Sequence, residues 1–258
     1  MNPLLVQNLK QDLRTLRLKD MADVLDSLLE HAHEQSHLQF LSQLVHHQLA
    51  AVNNRSLDRR IKKAQFPHHM RFDTFDWNFQ PGLNIEQLKN LQDLSFIANP
   101  HPVIILGKTG TGKTHIATAL GITACEQGLH VQFYTLQNLL NRLYATLADD
   151  TTDDLIASLL RLDLLIIDHA ENILTKPEYP TLLLRLVNAS QDKLAIIFTS
   201  GISFEEWAQT LGNPSITHAI IDRLMYRAEV INIRHGISYR AQGPYAPHIP
   251  RPDQAIDL

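Results

Sequence analysis

The sequence predicts an α/β fold, a parallel sheet covered by helices on both faces and preceded by a small all-helical domain. Three observations predict it. Residues 1–66 carry apolar positions at helical spacing and contain no glycine. From Val103 onward, short and nearly continuous apolar runs alternate with helical stretches, the pattern of buried parallel strands. Between the first such run and its helix lies a glycine-rich loop, Gly107-Lys108-Thr109-Gly110-Thr111-Gly112-Lys113-Thr114.

In the leader, Leu9, Leu13 and Leu16 repeat at helical spacing, as do Met21, Val24, Leu25 and Leu28, then Leu41, Leu44, Val45 and Leu49. A bundle of three or four short helices is expected. The last helix has two faces, with Arg55, Arg59 and Lys62 on one side, flanked by Arg60 and Lys63, and Leu57, Ile61 and Ala64 on the other. Between positions 55 and 71 six basic residues face Asp58 alone, a local balance of +5 in a chain of net charge −4. A solvated helix face is the plain reading. A surface for phosphate backbone is the sharper one, and it makes Arg55, Arg59, Arg60, Lys62 and Lys63 the candidate DNA contacts.

Residues 67–100 form a connector with a leading helix. Phe72, Phe75, Trp77 and Phe79 either cover a nucleotide base or plug the core. The domain from 101 to 240 then supplies strands at Val103–Leu106, Val131–Tyr134, Leu164–Asp168, Leu194–Phe198 and Val230–Ile233. The tail, 241–258, holds Pro244, Pro247, Pro250 and Pro252 and is expected to be extended or disordered.

The loop from Gly107 to Thr114 fits the phosphate-binding pattern G-x-x-x-x-G-K-[ST] between a strand and a helix. Its glycines let several backbone N–H groups point at one phosphate chain, and the helix start adds its positive dipole end. Lys113 reaches the β- and γ-phosphates, and the Thr114 hydroxyl holds Mg²⁺. Asp168 ends the third strand where a second oxygen ligand for that ion is needed. A nucleoside triphosphate and Mg²⁺ are therefore the expected ligands. A plain glycine turn joining strand to helix is the alternative.

Composition excludes several classes. One cysteine, Cys125, excludes an internal disulfide framework and suits a reducing cytoplasm. No apolar run is long enough to span a bilayer and no signal segment is visible. The fourteen histidines cluster at His31, His33 and His37, at His46-His47 and at His68-His69. They lack metalloprotease or zinc-finger spacing and read as solvated helix-surface groups.

With these residues in hand, the chain resembles the IstB family of transposition helper ATPases and, more distantly, the helicase loader DnaC, both of the AAA+ class. The supporting stretches are Gly107–Thr114, Leu164–Asp168, Ser203–Trp207, Leu211–Pro214, Ile220–Leu224, Val230–Arg234 and Ser238–Arg240. The resemblance implies ATP bound at a seam between subunits, a ring or helical filament on double-stranded DNA, and recruitment of a transposase. It places Arg223 against a neighbour's γ-phosphate and Arg240 as a sensor arginine in the cofactor site. Ion pairing within the chain is the alternative for Arg223, and a surface position for Arg240.

Two positions depart from the family pattern, His169 for its usual glutamate and Gly201 for its usual asparagine. Lys113, Asp168, His169 and Arg223 are the candidates for the hydrolysis machinery, and Glu171, two residues after His169, is the alternative carrier of the missing glutamate's role if the loop geometry allows it. Because both departures fall there, and the residues that grip phosphate and metal are themselves unaltered, the chain is expected to bind ATP well and hydrolyse it slowly or not at all. A helicase loader and a non-hydrolysing, ATP-dependent scaffold are the rival readings.

Overall fold

The computed structural model describes residues 3–32, 35–171, 174 and 176–242. The tail from 243 to 258 and His33 lie outside the described residues. The chain divides into two compact units, Met1–Arg59 and Arg60–Leu258.

The first unit is built from α1 (Pro3–Thr15), α2 (Lys19–Glu30) and most of α3 (His37–Ala64). Its core is small: Leu13, Met21, Ala22, Leu25 and Leu44 are buried together. The expected bundle is thus three helices, the last of them long. Gln48 on α3 stands in for a cap on α2. Its Oε1 accepts from the Asp20 and Met21 backbone N–H groups at 3.1 and 3.2 Å, and its Nε2 donates to Asp20 Oδ2 at 2.9 Å. Those N–H groups have no partner inside the helix, and Leu18 at the cap position offers no acceptor. Only part of the apolar repeat is covered: Leu9, Leu16, Leu41, Val45 and Leu49 are exposed.

The second unit continues through α4 (Ile85–Leu91) and α5 (Ser95–Ala98) into β1 (Val103–Gly107) and α6 (Lys113–Glu126). There follow β2 (Val131–Thr135), α7 (Leu136–Ala145), α8 (Thr152–Leu159), β3 (Leu164–Asp168), α9 (Tyr179–Ser190) and β4 (Ala195–Ser200). The unit ends with α10 (Phe204–Thr210), α11 (Pro214–Met225), β5 (Glu229–Ile233) and α12 (Tyr239–Gln242). All five strands pair in parallel, in the order β2-β3-β4-β1-β5. β1, β3 and β4 are buried along their whole length, as strands covered on both faces must be. Ile104, Leu106, Leu165, Ile167, Ile196 and Phe198 point to one face and share a core with α7 to α11. The apolar, almost wholly buried α6 packs on the sheet.

Local chemistry sets the helix starts. Thr135 caps α7, Ser203 and Glu206 close a capping box on α10, and Asn213 with Pro214 opens α11. The chain leaves β1 toward β2 on one side and returns after β4 to place β5 on the other. β1 is therefore the switch point, and the crevice beyond its carboxyl end is where such sheets bind ligands.

Candidate nucleotide-binding site

The register sets the ends of three strands side by side. Leu106 pairs with Ser200, so the loop after β1 opens beside the end of β4. Asp168 ends β3, the next strand over. The loop turns on two glycines in the left-handed region, Gly110 at φ 83° and Gly112 at φ 97°, before α6 begins at Lys113. Lys113 is buried, and its Nζ donates to the Gly107 carbonyl at 2.7 Å and the Lys108 carbonyl at 3.1 Å. Burial pushes its pKa down from the ordinary lysine value, opposed by the charges of Glu171 and Asp168 and reinforced by Arg240.

Asp168 is 1% exposed. Burial alone raises a carboxyl pKa. Here contacts from His169, Thr199 and Thr114 outweigh it and hold Asp168 below the ordinary carboxylate value. The Thr114 hydroxyl reaches both carboxylate oxygens, at 3.0 and 3.2 Å, and Thr199 donates to Oδ1. An ionised carboxylate beside a hydroxyl at the mouth of a phosphate loop is a donor set for a hard cation. Thr114 and Asp168 therefore fit Mg²⁺, whose chemistry there would be to neutralise charge on the β- and γ-phosphates.

A cavity of about 600 Å³ opens over the loop, within the range for small-molecule sites. Loop residues Thr109 to Thr114, His169, Glu171, Tyr239 and Arg240 line one part of it, and Phe75 and Phe79 another. Of the connector's aromatics, Phe75 and Phe79 form a collar over the loop, while Phe72 stacks on Trp77 with centroids 5.6 Å apart. Phe75 meets His115 edge to face with centroids 5.2 Å apart, and Phe79 meets Tyr239 at 4.7 Å. Gln80 ties the collar to the far end of the chain, donating to the Ile237 carbonyl at 2.7 Å and accepting from its N–H at 2.9 Å. The Tyr239 N–H then donates to the Gly110 carbonyl at 2.9 Å. This strap brings Arg240 to the lining of the cavity.

His169 follows directly on Asp168. Its φ is 56°, a left-handed turn that folds the imidazole back until Nδ1 lies 2.5 Å from Asp168 Oδ2. The contact has the distance of an ion pair but not the alignment of a hydrogen bond. It nonetheless raises the histidine pKa, against the opposing effect of burial.

Arg223 lies on α11, outside the cavity, and its Nη1 donates to the Ala219 carbonyl at 2.9 Å. The basic helix divides as well. Arg55 holds both carboxylate oxygens of Asp20 at 2.7 and 2.8 Å, and Arg60 donates to the Cys125 carbonyl at 2.8 Å. Arg59, Lys62 and Lys63 are exposed. The reading from sequence alone missed Thr199 as a partner of Asp168, and Gln80 and Trp207 altogether as supports of the site. A polar residue at the end of an otherwise apolar strand was the available signal for Thr199.

Comparison with known proteins decides the family. The family described as IstB-like ATP binding protein matches residues 11–245. The chain belongs to this family. The ATP-binding protein of insertion sequence IS21 from Pseudomonas aeruginosa is 31% identical over 88% of this chain and 86% of its own length. That of IS232 from Bacillus thuringiensis subsp. berliner is 29% identical over 93% and 96%. Among solved structures, DnaI aligns with a TM-score of 0.54 at 17% identity, covering 64% of this chain and 90% of that one. AMPPCP-bound DnaA from Aquifex aeolicus aligns at 0.53 and 18%, covering 67% and 52%. These two share the fold. Among the described residues of this IstB-like ATP-binding protein, no helix is long and apolar enough to cross a membrane. No cluster of three or more His, Cys, Asp or Glu forms a metal site among them either.

Proposed function

We propose that this IstB-like protein is a transposition helper that binds MgATP, oligomerises on double-stranded DNA and recruits or activates a transposase. The observation that carries the nucleotide half is the Thr114–Asp168 pair beside a glycine-turned loop, under a cavity of about 600 Å³. The insertion-sequence origin of its relatives supports the transposition half. Nucleotide stabilises the assembly because it completes an interface between subunits, with Arg223 of one chain reaching the phosphates of the next. The position of Arg223 outside its own chain's cavity is compatible with that role. Turnover is slow, since His169 stands at the position where the family pattern has its water-orienting glutamate. Arg59, Lys62 and Lys63 contact phosphate backbone, so binding is indifferent to sequence and sensitive to salt. Arg55 and Arg60 make weaker DNA contacts because they already hold protein partners.

The test is duplex DNA binding and assembly size measured with ATP and with ADP across a salt series. ATP is expected to promote assembly, and Lys113→Ala to abolish that effect. The triple change Arg59→Ala, Lys62→Ala, Lys63→Ala is expected to flatten the log–log salt slope by about 0.9 per lost contact. An assembly blind to nucleotide, or an unchanged salt slope, defeats the proposal. Co-purification with a hexameric helicase in place of DNA binding would instead favour a loader.

A further inference from the structure

Hydrolysis of a bound triphosphate needs a group that orients water and takes its proton. The residue that follows Asp168 is not free for this, because the His169 imidazole is turned onto the Asp168 carboxylate. Two carboxylates line the cavity, Asp76 on the collar and Glu171 on the loop after β3. Glu171 is the one beside the phosphate loop. Among the acidic groups acting on Lys113, its charge is the strongest.

Glu171 is also fixed. Its Oε2 accepts the Gly201 backbone N–H at 2.9 Å, across from the end of β3 to the end of β4. The turn that presents it is pinned at each residue. The His169 N–H donates to Thr199 Oγ1 at 3.3 Å and the Ala170 N–H to the Thr199 carbonyl at 3.2 Å. The buried Trp207 indole donates to the Ala170 carbonyl at 2.8 Å. Gly201 makes room for the carboxylate: a Cβ there would lie 2.7 Å from Glu171 Oε1 and 3.0 Å from its Cδ. The side chain missing at 201 and the carboxylate at 171 therefore occupy one place. Any side chain on residue 201 has to drive Glu171 off its seat.

We propose that Glu171 is the water-orienting base of this ATPase and that Gly201 is its positioning residue. The inference rests on the ATP-binding reading above. In the step, a water oxygen bonds to the γ-phosphorus as the bond from that phosphorus to the β–γ bridging oxygen breaks. The bridging oxygen keeps the electron pair and leaves on ADP. The water's proton passes to the Glu171 carboxylate and then to solvent, and inorganic phosphate is the second product.

The experiment is single-turnover hydrolysis of MgATP by the full chain with duplex DNA, alongside calorimetric ATP affinity and thermal unfolding. Glu171→Gln is expected to lower the rate at least 100-fold, with ATP affinity within about threefold of wild type. Gly201→Asn is expected to slow the reaction by a similar factor, and the double variant to lose little more, since both changes empty the same seat. Gly201→Ala, with the smallest side chain, keeps the test open if the asparagine variant does not fold. The proposal is overturned if Glu171→Gln turns over like wild type, if either Gly201 variant is as fast or faster, or if wild type binds ATP but shows no single turnover. Absence of ATP binding by wild type would instead defeat the reading beneath it.

Discussion

Gly110→Ala isolates what the strap from Gln80 to Arg240 does. At φ 83° an alanine Cβ carries the left-handed penalty, about 1–2 kcal/mol. The same Cβ would overlap Ser238 Oγ and stand 3.1 Å from Ser238 Cβ, so the segment bearing Tyr239 and Arg240 has to lift. Lifting it strains the 2.9 Å hydrogen bond from the Tyr239 N–H to the Gly110 carbonyl, worth about 1 kcal/mol net. The sum is about 2–3 kcal/mol. For a unit of this size that corresponds to a fall of about 4–12 °C in Tm. Thermal unfolding and calorimetric ATP binding are the assays, and the affinity should fall as well because Arg240 leaves the cavity. Ser238→Gly in the same chain removes the overlap but not the backbone penalty, so it should recover part of both losses. A Gly110→Ala protein that unfolds and binds like wild type refutes the reasoning, as does a Ser238→Gly partner that recovers nothing.

Two further predictions concern titration. Burial pushes the Cys125 thiol up from 9.0 to about 11. Between these values the unfolded chain has lost a proton that the folded chain keeps, so stability falls as pH rises through that window. The slope is at most about 1.4 kcal/mol per pH unit, read as the difference between wild type and Cys125→Ala in denaturant unfolding. A difference that is flat with pH contradicts it. In the first unit, the Arg55 guanidinium beside Asp20 holds its carboxyl below the ordinary 3.8. That contribution is fully present above 3.8 and is lost as pH falls through the lower folded value. The pair is exposed, so the effect is small. Arg55→Gln should weaken the acid dependence of helix content, and an unchanged acid transition contradicts this.

How much was legible in sequence varies with the kind of interaction. The three central strands were readable because a strand buried on both faces must be apolar throughout, and Leu164–Ile167 and Ala195–Phe198 leave no helical period to confuse it. The phosphate loop was readable because its chemistry is backbone chemistry, set by glycines at fixed spacing within eight consecutive residues. The apolar repeat of the leader marked helix faces correctly as helical. Periodicity marks a face but not whether something covers it, so Leu44 is buried while Leu41, Val45 and Leu49 are exposed.

The sequence by itself therefore determined the α/β class, the nucleotide loop, Asp168 at the strand end and the family. Tertiary structure alone decided which way His169 turns, what Glu171 rests on, that Arg55 is spent on Asp20, and that a strap from the chain's far end brings Arg240 over the loop. The physical reason is range. A motif is read where neighbours in the chain do the chemistry. The Glu171–Gly201 and Gln80–Ile237 contacts join residues 30 and 157 positions apart, brought together by strand order and by a single left-handed turn.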